Sequence, residues 1–188
     1  MPLRSAAAAL SFARQRLCRY AGRMSTPQLL IVYHTLTQGT RQMAEAVRDG
    51  AQAEGGVRVA LLRAQDAGPD EVLAASTYVF ATPENLAAIS GVMKDFFDRC
   101  YYPVLDRING RAYASLICAG SDGDNAARQI ARIATGWRLK AAADPLIVCT
   151  HAQTPEAILA TKQIGEADLQ RCRELGAALA AGLAMGVF

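Results

Sequence analysis

Five short apolar runs, separated by longer stretches with helical periodicity, constrain the fold of this chain more than any other feature. Continuous apolar runs of this length are typical of strands buried on both faces. Strands that alternate with helices predict a parallel sheet with helices on both faces. The predicted strands span residues 29–33, 57–62, 78–81, 112–118 and 146–149.

The stretches between these runs carry apolar residues at the spacing of one buried helix face. Thr154 followed by Pro155 is typical of a helix start, since threonine is a good N-cap and proline suits the first helical position. Asn109 and Gly110 indicate a turn. The predicted helices span residues 39–53, 69–75, 92–101 and 125–137, with further helices after Pro155.

Length and charge limit the classes of protein to which the chain can belong. Its 188 residues, 52% of them hydrophobic, fit one domain with a sizeable core. The net charge of +3 divides into +5 on residues 1–24 and −2 on the rest, which has 15 basic and 17 acidic residues. A nucleic-acid-binding domain carries a basic surplus, so we expect no nucleic-acid partner. No uncharged run reaches the ~18 residues of a membrane span, and we expect none.

Residues 1–24 are rich in alanine and arginine and contain no acidic residue. They are typical of an organelle-type leader or of an upstream extension that is not native to the protein. Met24 and Ser25, directly before the first strand, favour the extension. We therefore expect residues 25–188 to form the folded domain.

The five cysteines and two histidines show no spacing typical of a metal site. Free thiols in a reducing compartment are the simpler interpretation, and a cytoplasmic location is expected. No pair of residues at motif spacing indicates a catalytic side chain. We predict neither a metal site nor a catalytic residue.

Polar loops follow the first, third and fourth predicted strands, at the edge where parallel α/β sheets bind ligands. The first loop has three hydroxyls, on Thr35, Thr37 and Thr40, directly before a helix N-terminus. Hydroxyls and free N–H groups can bind a phosphate without a lysine. A helix simply capped by Thr37 or Thr40 would explain the same residues.

The other two loops contain residues that suit a flat heterocycle. Residues 82–86 contain a proline, which holds neighbouring backbone groups in fixed directions. In residues 120–123, glycines allow close approach of the backbone, and Ser121 or Asp122 could cap the following helix. Ordinary connections explain each loop alone, but together the three loops indicate one ligand site.

Two blocks carry a family resemblance, which extends from about Leu29 to Val148. Residues 35–40 are similar to a Ser/Thr-x-Thr-Gly-x-Thr phosphate loop, and residues 81–85 with 91–99 are similar to a Thr-Pro loop followed by a Lys-x-Phe-x-Asp helix. The chain thus resembles the flavodoxin-like superfamily, in its branch of NAD(P)H-dependent FMN reductases and WrbA-type quinone reductases. The resemblance implies a flavodoxin-like three-layer αβα sandwich with a five-stranded parallel sheet in the order 2-1-3-4-5.

The resemblance also implies FMN as cofactor, NAD(P)H as co-substrate, and small molecules as electron donor and acceptor. A homodimer or homotetramer is a further expectation from the family. The implied phosphate contacts are Thr35, Thr37, Gln38, Gly39 and Thr40. The implied contacts of the isoalloxazine ring are Thr82, Pro83, Glu84, Asn85 and Leu86, with Gly120, Ser121, Asp122 and Gly123 on the third side.

One position departs from the family pattern. Gln38 stands where the family usually has a glycine, and Gly39 follows one residue later. Because glutamine resists a positive φ, we expect the loop to be shifted or to follow a right-handed path. The departure falls within the residues implied to contact the phosphate.

Three functions remain open on the sequence. The first is an FMN-binding NAD(P)H-dependent oxidoreductase that passes hydride to a quinone or similar acceptor. It is favoured because the second and third loops contain no aromatic residue to cover the flavin, and because the domain carries only −2 rather than a strong acidic surplus. The alternatives are a non-enzymatic FMN electron carrier and a flavodoxin-like scaffold that has lost its flavin.

Overall fold

The computed structural model describes residues 26–188, so the predicted leader, residues 1–24, lies outside the described residues. The strands are β1 (Gln28–Tyr33), β2 (Arg58–Arg63), β3 (Thr77–Asn85), β4 (Ala88–Ile89), β5 (Ala112–Ala119), β6 (Lys140–Ala141) and β7 (Leu146–Cys149). The helices are α1 (Gly39–Glu54), α2 (Pro69–Ala74), α3 (Gly91–Val104), α4 (Asp124–Gly136), α5 (Pro155–Leu159) and α6 (Glu166–Ala184).

The main sheet is parallel, in the order β2-β1-β3-β5, with two short strands beside β5. β6 pairs with the start of β5 and β7 with its end. The predicted parallel sheet is confirmed. It differs from the prediction only beside β5, where two short strands, β6 and β7, take the place of one fifth strand. Pro145 directly precedes β7 and has no N–H to donate to a ladder, which agrees with an edge that is interrupted here.

Helices cover both faces of the sheet, each over its own apolar core, which confirms the predicted three layers. On one face, residues from α2, α3 and α4 pack on alternate residues of the strands, such as Leu30 and Phe80. On the other face, α1 and α6 pack on residues such as Leu29 and Val79. Successive residues of a strand point to opposite faces of the sheet, and both faces are covered by helices. The strands are therefore continuously apolar in the sequence.

Phe80 of β3 is the centre of an aromatic cluster on the first face. Its ring centroid lies 4.9 Å from that of Phe97 on α3 and 6.1 Å from that of Trp137 at the end of α4. The rings of Phe96 and Tyr78 also contact the ring of Phe80. Aromatic side chains bury large apolar areas in offset and edge-to-face pairs, so this cluster fixes β3, α3 and α4 relative to one another.

On the other face, α1 and α6 touch through their backbones at two glycines. A Cβ on Gly50 would lie 2.0 Å from the carbonyl oxygen of Arg173, and a Cβ on Gly176 would lie 2.0 Å from that of Val47. Neither position has room for a side chain. The contact therefore sets the position of α6 against the helix that follows the first polar loop.

The second polar loop differs from its prediction. Residues 82–85 continue β3 and form a hairpin with β4, which pairs Asn85 with Ala88. The turn residues Leu86 and Ala87 both have positive φ, at 51° and 56°. Apolar runs did not indicate this extension because its residues are polar and β4 has only two residues. Among the described residues, no helix has the length and apolar character needed to cross a membrane.

Candidate functional site

A cleft lies at the carboxyl edge of the sheet, between the ends of β1, β3 and β5. Its empty space of about 620 Å³ includes a part that is open to solvent. Seven of the predicted site residues line it: Thr35, Thr37, Thr40, Pro83, Glu84, Asn85 and Gly120. The other seven do not: Gln38, Gly39, Thr82, Leu86, Ser121, Asp122 and Gly123.

The first loop leaves the N-terminus of α1 without a side-chain cap. The N-cap residue is Gln38, and its side chain makes no capping hydrogen bond, so the interpretation of Thr37 or Thr40 as a simple cap is wrong. The first amides of a helix have no partner within the helix and carry its positive end. The start of α1 can therefore accept an anion.

The expectation that Gln38 avoids a positive φ is also wrong. Its φ is 69°, in the left-handed region, and its carbonyl oxygen accepts hydrogen bonds from the backbone and side-chain amides of Gln42. Gly39 needs to be small for a different reason, since a Cβ there would lie 2.6 Å from Cys118 Sγ. The left-handed residue of this loop is therefore Gln38 rather than Gly39.

Thr40 provides a buried polar atom with only a weak neighbour. The residue is 1% exposed, and within residues 26–188 its Oγ1 has no nitrogen or oxygen partner but interacts with the Cys118 thiol, a weak hydrogen-bonding group. Thr40 also lines the cleft, in the first turn of α1. An unsatisfied buried hydroxyl carries an energetic cost, and a bound ligand with acceptor oxygens would remove it.

Thr82 has a structural role in the second loop. Its side chain is fully buried, and its Oγ1 accepts a hydrogen bond from Ser90 N at 3.2 Å. Ser90 in turn caps α3 by accepting a hydrogen bond from Met93 N at 3.2 Å. Thr82 thus fixes the base of the hairpin, while Pro83, Glu84 and Asn85 face the cleft.

Glu84 joins the second loop to the third. Its carboxylate accepts hydrogen bonds from Gly123 N at 2.9 Å and from Ala126 N at 3.1 Å, at the start of α4. The sequence suggested Ser121 or Asp122 as the cap of this helix. Asp122 does accept a bond from Asp124 N at 2.5 Å, but the N-cap position itself is Gly123 and Glu84 supplies the long-range contact.

Sequence reasoning missed the fourth side of the cleft. It consists of a segment after β7, residues 150–162, which we call the cover segment. Its start is held by His151 N, which donates to Gly120 O at 2.8 Å, and its end by Lys162 N, which donates to Thr37 O at 2.7 Å. Its residues that line the cleft are Thr150, Ala152, Ile158, Leu159 and Lys162.

Two titratable groups near the first loop are shifted toward their neutral forms. Burial raises the pKa of the Cys118 thiol to about 11, against a smaller opposing effect of the Lys162 ammonium. Burial, and secondly the charge of Arg63, lowers the pKa of His34 below its usual value of 6.5. A thiol held neutral is a poor nucleophile.

The arrangement suits a planar ligand with an anionic tail. The free amides of α1 and the hydroxyls of Thr35, Thr37 and Thr40 lie at one end, and the strand ends with Pro83 and Gly120 lie further along. No aromatic side chain is among the described residues that line the cleft. The larger apolar side chains that line it are aliphatic: Leu36, Ile158 and Leu159.

Comparisons with known proteins agree with this geometry. The family model of the NADPH-dependent FMN reductases matches residues 67–153. A flavodoxin from Aquifex aeolicus is 31% identical over 96 residues, which is 51% of this chain and 52% of that protein. An NAD(P)H dehydrogenase (quinone) from Acidithiobacillus ferrooxidans is 30% identical over 92 residues, covering 38% of this chain and 46% of that protein. The chain thus spans about half the length of these two relatives.

A solved structure extends the similarity over most of the fold. The flavodoxin, WrbA-like protein from Agrobacterium tumefaciens matches 85% of this chain and 98% of its own, with a TM-score of 0.66 and 19% identity. At that identity the match concerns the fold. The chain is thus similar to the NADPH-dependent FMN reductases over residues 67–153, and it shares the fold of flavodoxins and WrbA-like proteins.

Proposed function

We propose that the chain binds FMN in the cleft and acts as an NAD(P)H-dependent oxidoreductase with a quinone or similar small acceptor. The observation that carries the proposal is the buried hydroxyl of Thr40 at the uncapped start of α1, which has no nitrogen or oxygen partner among residues 26–188 and lies beside the weakly hydrogen-bonding Cys118 thiol. A phosphate dianion supplies the acceptor oxygens that this hydroxyl and the helix amides lack. The residues present therefore fit the cofactor.

Each side of the cleft has its own task in this proposal. Thr35, Thr37 and Thr40 hold the phosphate together with the first amides of α1. Pro83, Asn85 and Gly120 orient the ring through backbone groups, and Glu84 keeps the second and third loops together. When bound, FMN supplies hydride chemistry between a nicotinamide and an acceptor. The protein orients these partners, and we assign no side chain to proton transfer.

Two observations favour an enzyme over an electron carrier. The described lining of the cleft contains no aromatic side chain that would cover a flavin face, so a nicotinamide or quinone has room to stack there. The residues after position 24 carry a net charge of −2, whereas a carrier that docks on basic partners benefits from a stronger acidic surface. The free thiols among the described cysteines fit a reducing compartment, and we place the protein in the cytoplasm.

The decisive test is spectroscopic. The purified chain is incubated with FMN, freed of excess, and its visible spectrum is recorded before and after addition of NADPH or NADH under anaerobic conditions. We expect a bound flavin spectrum that bleaches with a pyridine nucleotide and returns when a quinone is added. A chain that binds no FMN would contradict the proposal and favour a scaffold that has lost its flavin.

The alternative is a non-enzymatic FMN carrier, which the similarity to a protein named flavodoxin favours. A carrier would give the same bound spectrum and would bleach with dithionite. It would not bleach with NADPH or NADH on a timescale of minutes. The comparison of chemical and nucleotide reductants on one sample therefore separates the two functions.

A further inference from the structure

Lys162 is the only basic side chain among the described residues that line the cleft. The only acidic one is Glu84, and its carboxylate accepts hydrogen bonds from two amides at the start of α4, at the opposite loop. The two formal charges thus belong to different sides of the cleft. Lys162 belongs to the side of the first loop.

The backbone of Lys162 makes two hydrogen bonds to the first loop and the start of α1, and a third follows at Ile164. Lys162 N donates to Thr37 O at 2.7 Å, and Lys162 O accepts from Gln42 Nε2 at 2.7 Å. The same Gln42 side chain accepts from Ile164 N at 3.1 Å. A Cβ on Gly39 would lie 3.3 Å from Lys162 Cβ, so the lysine lies directly beside the start of α1.

The ammonium group of Lys162 has only neutral hydrogen-bond acceptors among the described residues. It donates to the carbonyl oxygens of Ala157, Ile158 and Ala160, at the end of α5. These acceptors are neutral, and none of the ion pairs in residues 26–188 includes Lys162. A cation that is not neutralised by a carboxylate raises the affinity of its surroundings for an anion.

We infer that Lys162 supplies the countercharge for the phosphate of the cofactor and so makes the cleft selective for FMN over riboflavin. The inference rests on the proposed function, since it assigns a charge to the phosphate end of the same site. The hydroxyls and amides of the first loop provide hydrogen bonds, and Lys162 provides the positive charge that the loop itself lacks. The cover segment thereby takes part in cofactor binding.

The experiment compares two ligands that share the isoalloxazine ring and differ in the phosphate. Dissociation constants for FMN and riboflavin are measured by flavin fluorescence with the wild type, Lys162→Met and Lys162→Arg, at low and high salt. Lys140→Met is the matched control, because Lys140 is exposed and pairs with Ala112 at the opposite end of β5. Thermal melting verifies that each variant folds.

We expect Lys162→Met to weaken FMN about tenfold and riboflavin less than about twofold, because only FMN carries the charge that the lysine attracts. The salt dependence of FMN binding should decrease in the same variant, since one screened attraction is lost. Lys162→Arg should restore most of the FMN affinity. Lys140→Met should bind both ligands as the wild type does.

Two results would overturn the inference while leaving FMN binding intact. Equal weakening of FMN and riboflavin by Lys162→Met would mean that the lysine only holds the cover segment in place. Unchanged FMN affinity would mean that its charge does not reach the phosphate. A wild type that binds neither ligand would instead overturn the proposed function, and the inference with it.

Discussion

At the scale of single residues, Gln38 shows how the first loop accepts a conformation that its side chain disfavours. A non-glycine residue in the left-handed region costs roughly 1–2 kcal/mol. The side-chain amide of Gln42 contributes against this cost, because it donates a hydrogen bond to the Gln38 carbonyl oxygen in addition to the ordinary helical bond from Gln42 N. The sequence alone predicted the opposite, because these contacts involve residues outside the loop.

We therefore expect Gln38→Gly to raise the free energy of unfolding by about 0.5–1 kcal/mol. This is the strain relieved in the folded state minus the conformational entropy that glycine adds to the unfolded chain. Urea unfolding measures the change. Ala53→Gly, at an exposed position near the end of α1, is the control and should lower stability by about 0.5–1 kcal/mol. A loss of stability in both variants would contradict the strain at Gln38.

His34 predicts a pH dependence of stability. Because burial and Arg63 lower its pKa in the folded protein, the unfolded chain takes up a proton first as the pH falls below 6.5. The stability that depends on neutral His34 is present above pH 6.5 and is lost toward the lower pKa of the folded state. Stability at about pH 7.5 should exceed that at about pH 5.5 through this contribution.

The measurement compares the difference in unfolding free energy between these two pH values in the wild type and in His34→Gln. The variant should show a smaller difference. His151→Gln removes the other histidine, which is exposed, and serves as the control. An identical difference in wild type and His34→Gln would show that His34 does not titrate between the two states.

At the scale of elements, Glu84 ties the β3–β4 hairpin to α4. Glu84→Ala removes the acceptor of two amides, and we expect a loss of about 1–3 kcal/mol in unfolding free energy. Glu84→Gln keeps one acceptor oxygen and should lose less. Chemical unfolding of both variants measures which one loses more stability. An alanine variant as stable as the glutamine variant would show that the carboxylate does not stabilise the start of α4.

The elements also show where the sequence was informative. Apolar runs predicted every main strand to within a few residues, because a strand with two buried faces must be continuously apolar. β4 and β6 were missed because two residues carry no periodicity. Residues 82–85 were interpreted as a loop because their polar side chains conceal a strand that is paired through its backbone.

At the scale of the molecule, the contact between α1 and α6 should be sensitive to a single methyl group. Gly176→Ala places a Cβ 2.0 Å from a backbone oxygen, and we expect a loss of about 3 kcal/mol or more, or failure to fold. Gly136→Ala is the control, because nothing lies within 4 Å of the added Cβ at the end of α4. It should stabilise the protein by about 0.5–1 kcal/mol. Thermal melting of both proteins tests the contrast, and an intact Gly176→Ala protein would contradict it.

The whole site could be predicted only in part. The rule that ligands lie at the carboxyl edge of a parallel sheet led to three loops, and seven of their residues line the cleft. The role of Glu84 and the presence of Lys162 could not be predicted, because Glu84 acts on a helix start about forty residues away and Lys162 packs on a loop more than 120 residues earlier. Neither contact leaves a local pattern.

The glycine contact between α1 and α6 also makes one part of the cleft a natural target for directed evolution. This contact fixes α6, which follows the cover segment in the chain, and so it fixes where the segment ends. Residues 153–161 within the segment are exposed. Changes of sequence or length there should alter which molecules enter without disturbing either core. A library confined to these nine positions would vary the entrance and lining of the cleft at little cost in foldability.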